Sequence, residues 1–260
     1  MDQQENEVYY DSQSGKHVPI HDESNVKLFV QAPAVDKDLS ASQINCWERQ
    51  GVAGLLINPN QMEEAFPIVQ DWRKQEITGS SQNAFQLWLP FDASVDTTPM
   101  SSAIYYVDYN SNPSADNDDD DSKQYCQEAI EKLAANETIG SAIACHTGST
   151  DAVLTASGIA SIIDATGGDY VLLRGGTNAG ASLVELAEEL GYLDVEGPTL
   201  KARMVIDVAG MDGDDDDTED ALEECLFMGI NKYIIDAQRI EWMADFVREN
   251  GKTCDVVIDE

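Results

Sequence analysis

Ala103-Ile104-Tyr105-Tyr106-Val107-Asp108, Ser141-Ala142-Ile143-Ala144-Cys145-His146, Tyr170-Val171-Leu172-Leu173-Arg174, Met204-Val205-Ile206-Asp207 and Tyr233-Ile234-Ile235-Asp236 repeat one pattern. Each is a short apolar run that ends on a charged or imidazole side chain. Runs this short and this continuously apolar suit strands buried on both faces, and such strands occur in parallel sheets covered by helices. The five therefore predict consecutive parallel strands that present polar groups at one rim.

Three more runs precede them, at 27–30, 54–57 and 85–89. The segments between carry helical signals. Ser40 with Gln43 three residues on reads as a capping box, and Gly51 as the stop of that helix. Met62, Ala65, Phe66, Val69 and Trp72 recur at helical spacing, with Pro67 placed to kink the run. Helical segments are also expected at 125–135, from Ala152 to about Ala165, around Leu183, Leu186 and Leu190, around Ala221 to Leu226, and at 240–247. Only the short polar stretch from Ala93 to Met100 lacks a helical pattern.

Eight strand and helix units in strict alternation predict an α/β fold, a single TIM-barrel-like (β/α)8 domain over residues 25–260. Residues 1–24 read as a polar N-terminal arm, extended or poorly ordered. A strand-like tail at 254–260 is left over once eight units are counted. It keeps an open, doubly wound parallel sheet as the alternative.

The charge is unusual. Fifteen Lys and Arg stand against 49 Asp and Glu, a formal net charge of −34, with a pI near 4.1. Self-repulsion of that size opposes compaction in dilute salt, whereas at molar salt screening shortens to about 3 Å. The composition thus points to a halophilic, acidic protein, placed in the cytoplasm of a high-salt organism or in a soluble or virion assembly. Scattered Lys and Arg give no footprint for nucleic acid. No run approaches the 18 apolar residues of a membrane span, and the polar start is unlike a signal peptide. Five cysteines without a C-x-x-C spacing favour reduced, packed thiols, with a single bridge left open.

In a barrel the carboxyl ends of the strands share one mouth, where active sites are built. Asp108, Asp207, Asp236 and His146 are therefore the candidate catalytic residues. Arg174, Asn58, Trp88 and Tyr109 are the candidate substrate-binding residues. Three carboxylates and an imidazole suit acid and base work on a carbohydrate or similar polyhydroxylated substrate, most simply hydrolysis. They also suit a divalent cation, Mg or Ca, held by oxygen ligands. The partner expected is a small molecule or glycan, with a homo-oligomer or larger assembly open. The alternative is a non-catalytic recognition or structural barrel in a larger halophilic assembly.

Other chemistries are argued against. Lys27, Lys201 and Lys232 fall at strand beginnings, not the ends where a Schiff-base lysine would sit. No phosphate-loop, nucleophile-elbow or H-E-x-x-H motif occurs. The glycines from Gly175 to Gly180 lack dinucleotide spacing, although a phosphate could rest there on backbone N–H groups. Cys145 and His146 are neighbours on a strand and so face opposite ways. The acidic runs at 116–121 and 212–217 do not fit a calcium loop.

Overall fold

The computed structural model describes residues 8–11, 16–19, 25–33, 39–76, 85–91, 100, 102–109, 119–136, 138–147, 151–176, 180–195, 198–211 and 216–257. Two short strands, β1 (Val8–Asp11) and β2 (Lys16–Pro19), pair antiparallel as a separate hairpin. The segment expected to be an extended arm or a poorly ordered lead-in thus contains regular structure at these two strands.

Eight parallel strands follow: β3 (Asn25–Gln31), β4 (Gly54–Leu56), β5 (Gln86–Pro90), β6 (Ala103–Asp108), β7 (Gly140–His146), β8 (Tyr170–Arg174), β9 (Met204–Asp207) and β10 (Lys232–Asp236). Each pairs with the next in chain order. β10 then pairs with β3 from Lys232↔Lys27 to Asp236↔Gln31, which closes the barrel and excludes the open sheet. Among the described residues the leftover tail supplies β11 (Thr253–Cys254). It pairs with Asn25 and Val26 at the amino end of β3 and leaves the closure intact. Val257 N–H donates to the Gln50 carbonyl, and Arg248 Nη2 to the Val256 carbonyl at 2.6 Å, so the tail is stitched to two helices.

The helices lie between the strands: α1 (Ala41–Arg49), α2 (Met62–Glu76), α3 (Asp119–Ala134), α4 (Ala152–Thr166), α5 (Gly180–Tyr192), the single turn α6 (Leu200–Arg203), α7 (Asp216–Phe227) and α8 (Ile240–Glu249). Ser40 forms the expected capping box with Gln43. Asp151 caps α4 through the Leu154 N–H, and Gly167 closes it in the left-handed region at φ 75°. A 3-10 turn, Pro59–Gln61, leads into α2, which continues through Pro67. Between β5 and β6, residues 92–99 lie outside the described residues.

Strand alternation sorts the core into two layers. The lumen is filled by Phe29, Leu56, Trp88, Ile104, Tyr106, Ala142, Ala144, Leu172, Val205 and Ile234. A far larger cluster lies between strands and helices. Trp88 is fully buried in the lumen, edge-on to Phe29 at 5.9 Å and against Tyr170 at 5.2 Å. The small residues Ala142 and Ala144 on β7 leave room for this large ring, the complementation that dense packing needs. Removing the indole would cost about 3–5 kcal/mol. No described helix is long and apolar enough to cross a membrane.

Candidate functional site at the carboxyl end of the barrel

Two residues beyond each lumen residue, the same alternation delivers the next inward position. That layer is Gln31, Asn58, Pro90, Asp108, His146, Arg174, Asp207 and Asp236, seven of them on strands and Asn58 just beyond β4. Five of the eight are the strand-ending residues of the repeated pattern. They form one mouth, yet they are not one constellation.

Arg174 divides the layer. Its Nε donates to Asp207 Oδ2 at 2.9 Å and its Nη2 to Asn58 Oδ1 at 2.5 Å. Arg174 ends β8 and Asn58 follows β4, with three strands between them in either direction round the ring. The side chain is therefore a bar across the diameter. The Tyr106 ring supports it, 5.8 Å from the guanidinium carbon, and the Tyr106 hydroxyl donates to the Ile57 carbonyl at 2.7 Å. Gln61 braces the same edge: its Nε2 donates to the carbonyls of Ala32 and Pro33, and its Oε1 accepts from the Asn58 N–H.

On one side of the bar lie Asp207 and Asp236, with Gln31. Asp207 is 2% exposed. Burial raises its carboxyl above the ordinary range, the Arg174 ion pair opposes that shift, and the nearby Asp236 charge adds to it. Its Oδ1 accepts the Ala209 N–H at 3.1 Å, and Asp236 Oδ2 accepts the Gly210 N–H at 3.2 Å. Both carboxylates thus brace the turn after β9. Arg239 ties that turn by donating to the Met211 carbonyl at 2.8 Å.

On the other side lie Asp108 and His146, from adjacent strands β6 and β7. His146 Nε2 stands 3.4 Å from Asp108 Oδ2, and their side chains are 53% and 29% exposed. This pair is open to solvent, unlike Asp207.

Two expected binding residues lie elsewhere. Trp88 is in the packed lumen one layer below the mouth, because it precedes the inward position Pro90 by two residues. Tyr109 follows the inward Asp108 and turns to the helical layer, where its hydroxyl occupies the space a side chain at Gly158 of α4 would need. Cys145 likewise faces outward beside Cys126 of α3, and burial pushes both thiols up to about 12. Ser149, residues 177–179 of the glycine-rich loop and 212–215 of the second acidic run lie outside the described residues, as do 116–118 of the first. Among the described residues no group of three or more His, Cys, Asp or Glu is placed to hold a metal ion.

Gln31 and Gln61 are not among the residues the sequence singles out. For Gln31 the signal exists in the alternation, which places it inward two residues after Phe29, just as Tyr106 stands inward two residues before Asp108.

No family model matches the chain, and no curated protein matches it. Among solved structures it is similar to a candidate fructose-1,6-biphosphate aldolase from Coccidioides immitis, at 15% identity and TM-score 0.47, over 87% of this chain and 79% of that one. It is similar to the YdjI aldolase from Escherichia coli K12, at 13% identity and TM-score 0.46, over 88% and 82%. The homocysteine methyltransferase MmuM from Escherichia coli follows at 10% and 0.42, over 88% and 97%. Likenesses this distant carry no functional argument, and the barrel rests on its own strand pairing.

Proposed function

We propose that this chain is an enzyme that acts on a polyhydroxylated small molecule at the carboxyl-terminal mouth, with hydrolysis of a carbohydrate as the simplest reaction. The observation that carries the reading is the solvent-open Asp108–His146 pair at 3.4 Å. Asp108 orients the imidazole, and His146 moves the proton to or from a substrate oxygen. Arg174 provides a fixed cationic floor, and Asp236 across the bar offers an acceptor to a substrate hydroxyl. Asp207 acts through Arg174 and is a positioning residue.

The net charge of −34 supports work in molar salt, in the cytoplasm of a high-salt organism or in a soluble assembly. The test is turnover of a panel of aryl glycosides and sugar lactones in molar KCl, scored against buffer. Turnover that saturates with substrate supports the enzyme; rates equal to buffer across the panel contradict it.

One observation favours a second reading. The Arg174–Asn58 bar occupies the middle of the mouth, and two of its three carboxylates hold a turn. Such a mouth suits a structural or recognition module in a larger halophilic assembly, and buffer-level rates in the same panel would favour it.

A further inference from the structure

Among the described residues five large apolar side chains stand exposed: Val153, Leu154, Tyr192, Phe227 and Val257. Val153 and Leu154 begin α4, at the mouth end of the barrel. The other three lie at the opposite, amino-terminal end, where helices finish and the next strands start. Tyr192 ends α5, Phe227 ends α7, and Val257 follows β11, which pairs with the first residues of β3. Phe227 is 92% exposed and Tyr192 79%, above the other three. Single exposed apolar residues are ordinary, but α5 and α7 pack side by side, so these two rings end neighbouring helices and make a patch.

The charges at this end fall into two arcs. α5 and α7 contain no Lys or Arg, and Glu188, Glu189, Glu223 and Glu224 stand near their ends, with Asp194 just beyond. Lys201 crosses this arc at Gly191 and leaves it net acidic. α1, α2 and α8 by contrast carry cations in their last turns, among them Arg49, Lys74 and Arg248. Lys74 and Arg248 pair with exposed carboxylates one turn back on their own helices, Asp71 at 3.0 Å and Asp245 at 2.9 Å, contacts that are weak in water. The arcs face each other across the barrel: α5 and α7 flank β9, whereas α2 leads to β5, four strands away in either direction round the ring. Val257 lies in the cation-bearing arc, where its N–H donates to the Gln50 carbonyl after α1.

We propose that this chain forms a two-fold dimer through its amino-terminal face, with Tyr192 and Phe227 of one copy packed on Val257 and the cation-bearing helix ends of the other. A two-fold contact uses the same surface on both copies, so that surface must complement itself. Here a half-turn lays the acidic, aromatic arc of each copy over the cation-bearing, aliphatic arc of the other. Opposite charges then set the orientation, and the rings leave water against apolar and cationic side chains. At molar salt the repulsion between two chains of charge −34 is screened beyond about 3 Å, which leaves the apolar contact to hold. Both mouths stay open at the far ends, and the dimer is independent of any reaction there.

The experiment is sedimentation equilibrium of the full chain in molar KCl over a range of concentrations. The native chain should reach the mass of two chains. Phe227→Ser and Tyr192→Ser should each weaken association by about ten-fold or more. Leu154→Ser, an exposed apolar residue at the other end, should leave it unchanged. The double variant Arg49→Glu with Lys74→Glu should also weaken it, because both arcs are then acidic. All the changed side chains lie at the surface, so each variant should keep the native circular dichroism spectrum, which separates lost association from lost fold. The proposal is overturned if the native chain sediments as a monomer throughout, if the two aromatic variants associate as it does, if Leu154→Ser weakens association as much as they do, or if the charge reversal leaves it intact.

Discussion

Arg174 at the end of β8 donates to Asn58 beyond β4, on the opposite side of the barrel, while the same guanidinium is paired with the buried Asp207. This one side chain converts a ring of polar strand ends into two separate half-mouths. It also makes Asp207 structural, because a carboxylate at 2% exposure depends on its partner.

Removing one member of that pair leaves a buried charge unmatched. Asp207→Ala should therefore lower stability by about 3–5 kcal/mol, and Asn58→Ala by about 1.5–3 kcal/mol. The double variant Asp207→Leu with Arg174→Met should be less destabilised than Asp207→Ala alone, because no unpaired charge remains. Urea unfolding in molar KCl measures all three. A double variant that is less stable than Asp207→Ala would deny that the pair is a buried unit.

Tyr109 packs against α4 at Gly158. A methyl at Gly158 meets the phenol oxygen, so Gly158→Ala should cost about 1–3 kcal/mol through overpacking. Tyr109→Phe removes that oxygen and should recover much of the loss in the double variant. Thermal midpoints of the four chains decide it; purely additive effects would place Tyr109 elsewhere.

The alkaline limb of stability has a definite sign. Cys126, Cys145 and Cys225 are pushed by burial from an ordinary 9.0 up to about 12. Acids whose folded value is raised contribute stability that is complete below the unfolded value and is lost as pH climbs from 9 towards 12. Each thiol withdraws up to about 1.4 kcal/mol per pH unit in that window. Lys232, lowered from 10.5 to about 8, works the other way between those values, but it is one group against three thiols. Melting at pH 8 and pH 10.5 should show a marked fall, smaller when the three cysteines are replaced by alanine. An equal fall in that triple variant would place the alkaline transition on other groups.

Much of the fold is legible in the chain because a buried parallel strand has a local signature, and eight of them recur. The inward layer is legible too, since period two applied from Asp108 sends Tyr109 outward and applied from Pro90 sends Trp88 into the lumen. Placing Trp88 and Tyr109 among the substrate-binding residues overlooks that alternation. The bar itself is not legible. Asn58 and Arg174 are 116 residues apart, and they face each other only because β10 pairs with β3, a closure that no short-range pattern encodes. For the same reason Asp108, Asp207 and Asp236 read alike in sequence, although one is open to solvent beside an imidazole and the other two hold a turn.

The most direct test compares turnover by the native chain, Asp108→Asn, His146→Gln and Asp236→Asn on the glycoside and lactone panel in molar KCl. The account predicts that the Asp108 and His146 variants lose activity by about 10²–10⁴-fold, while Asp236→Asn keeps it within about ten-fold. Full activity without His146 or Asp108, or an equal collapse in Asp236→Asn, would contradict it.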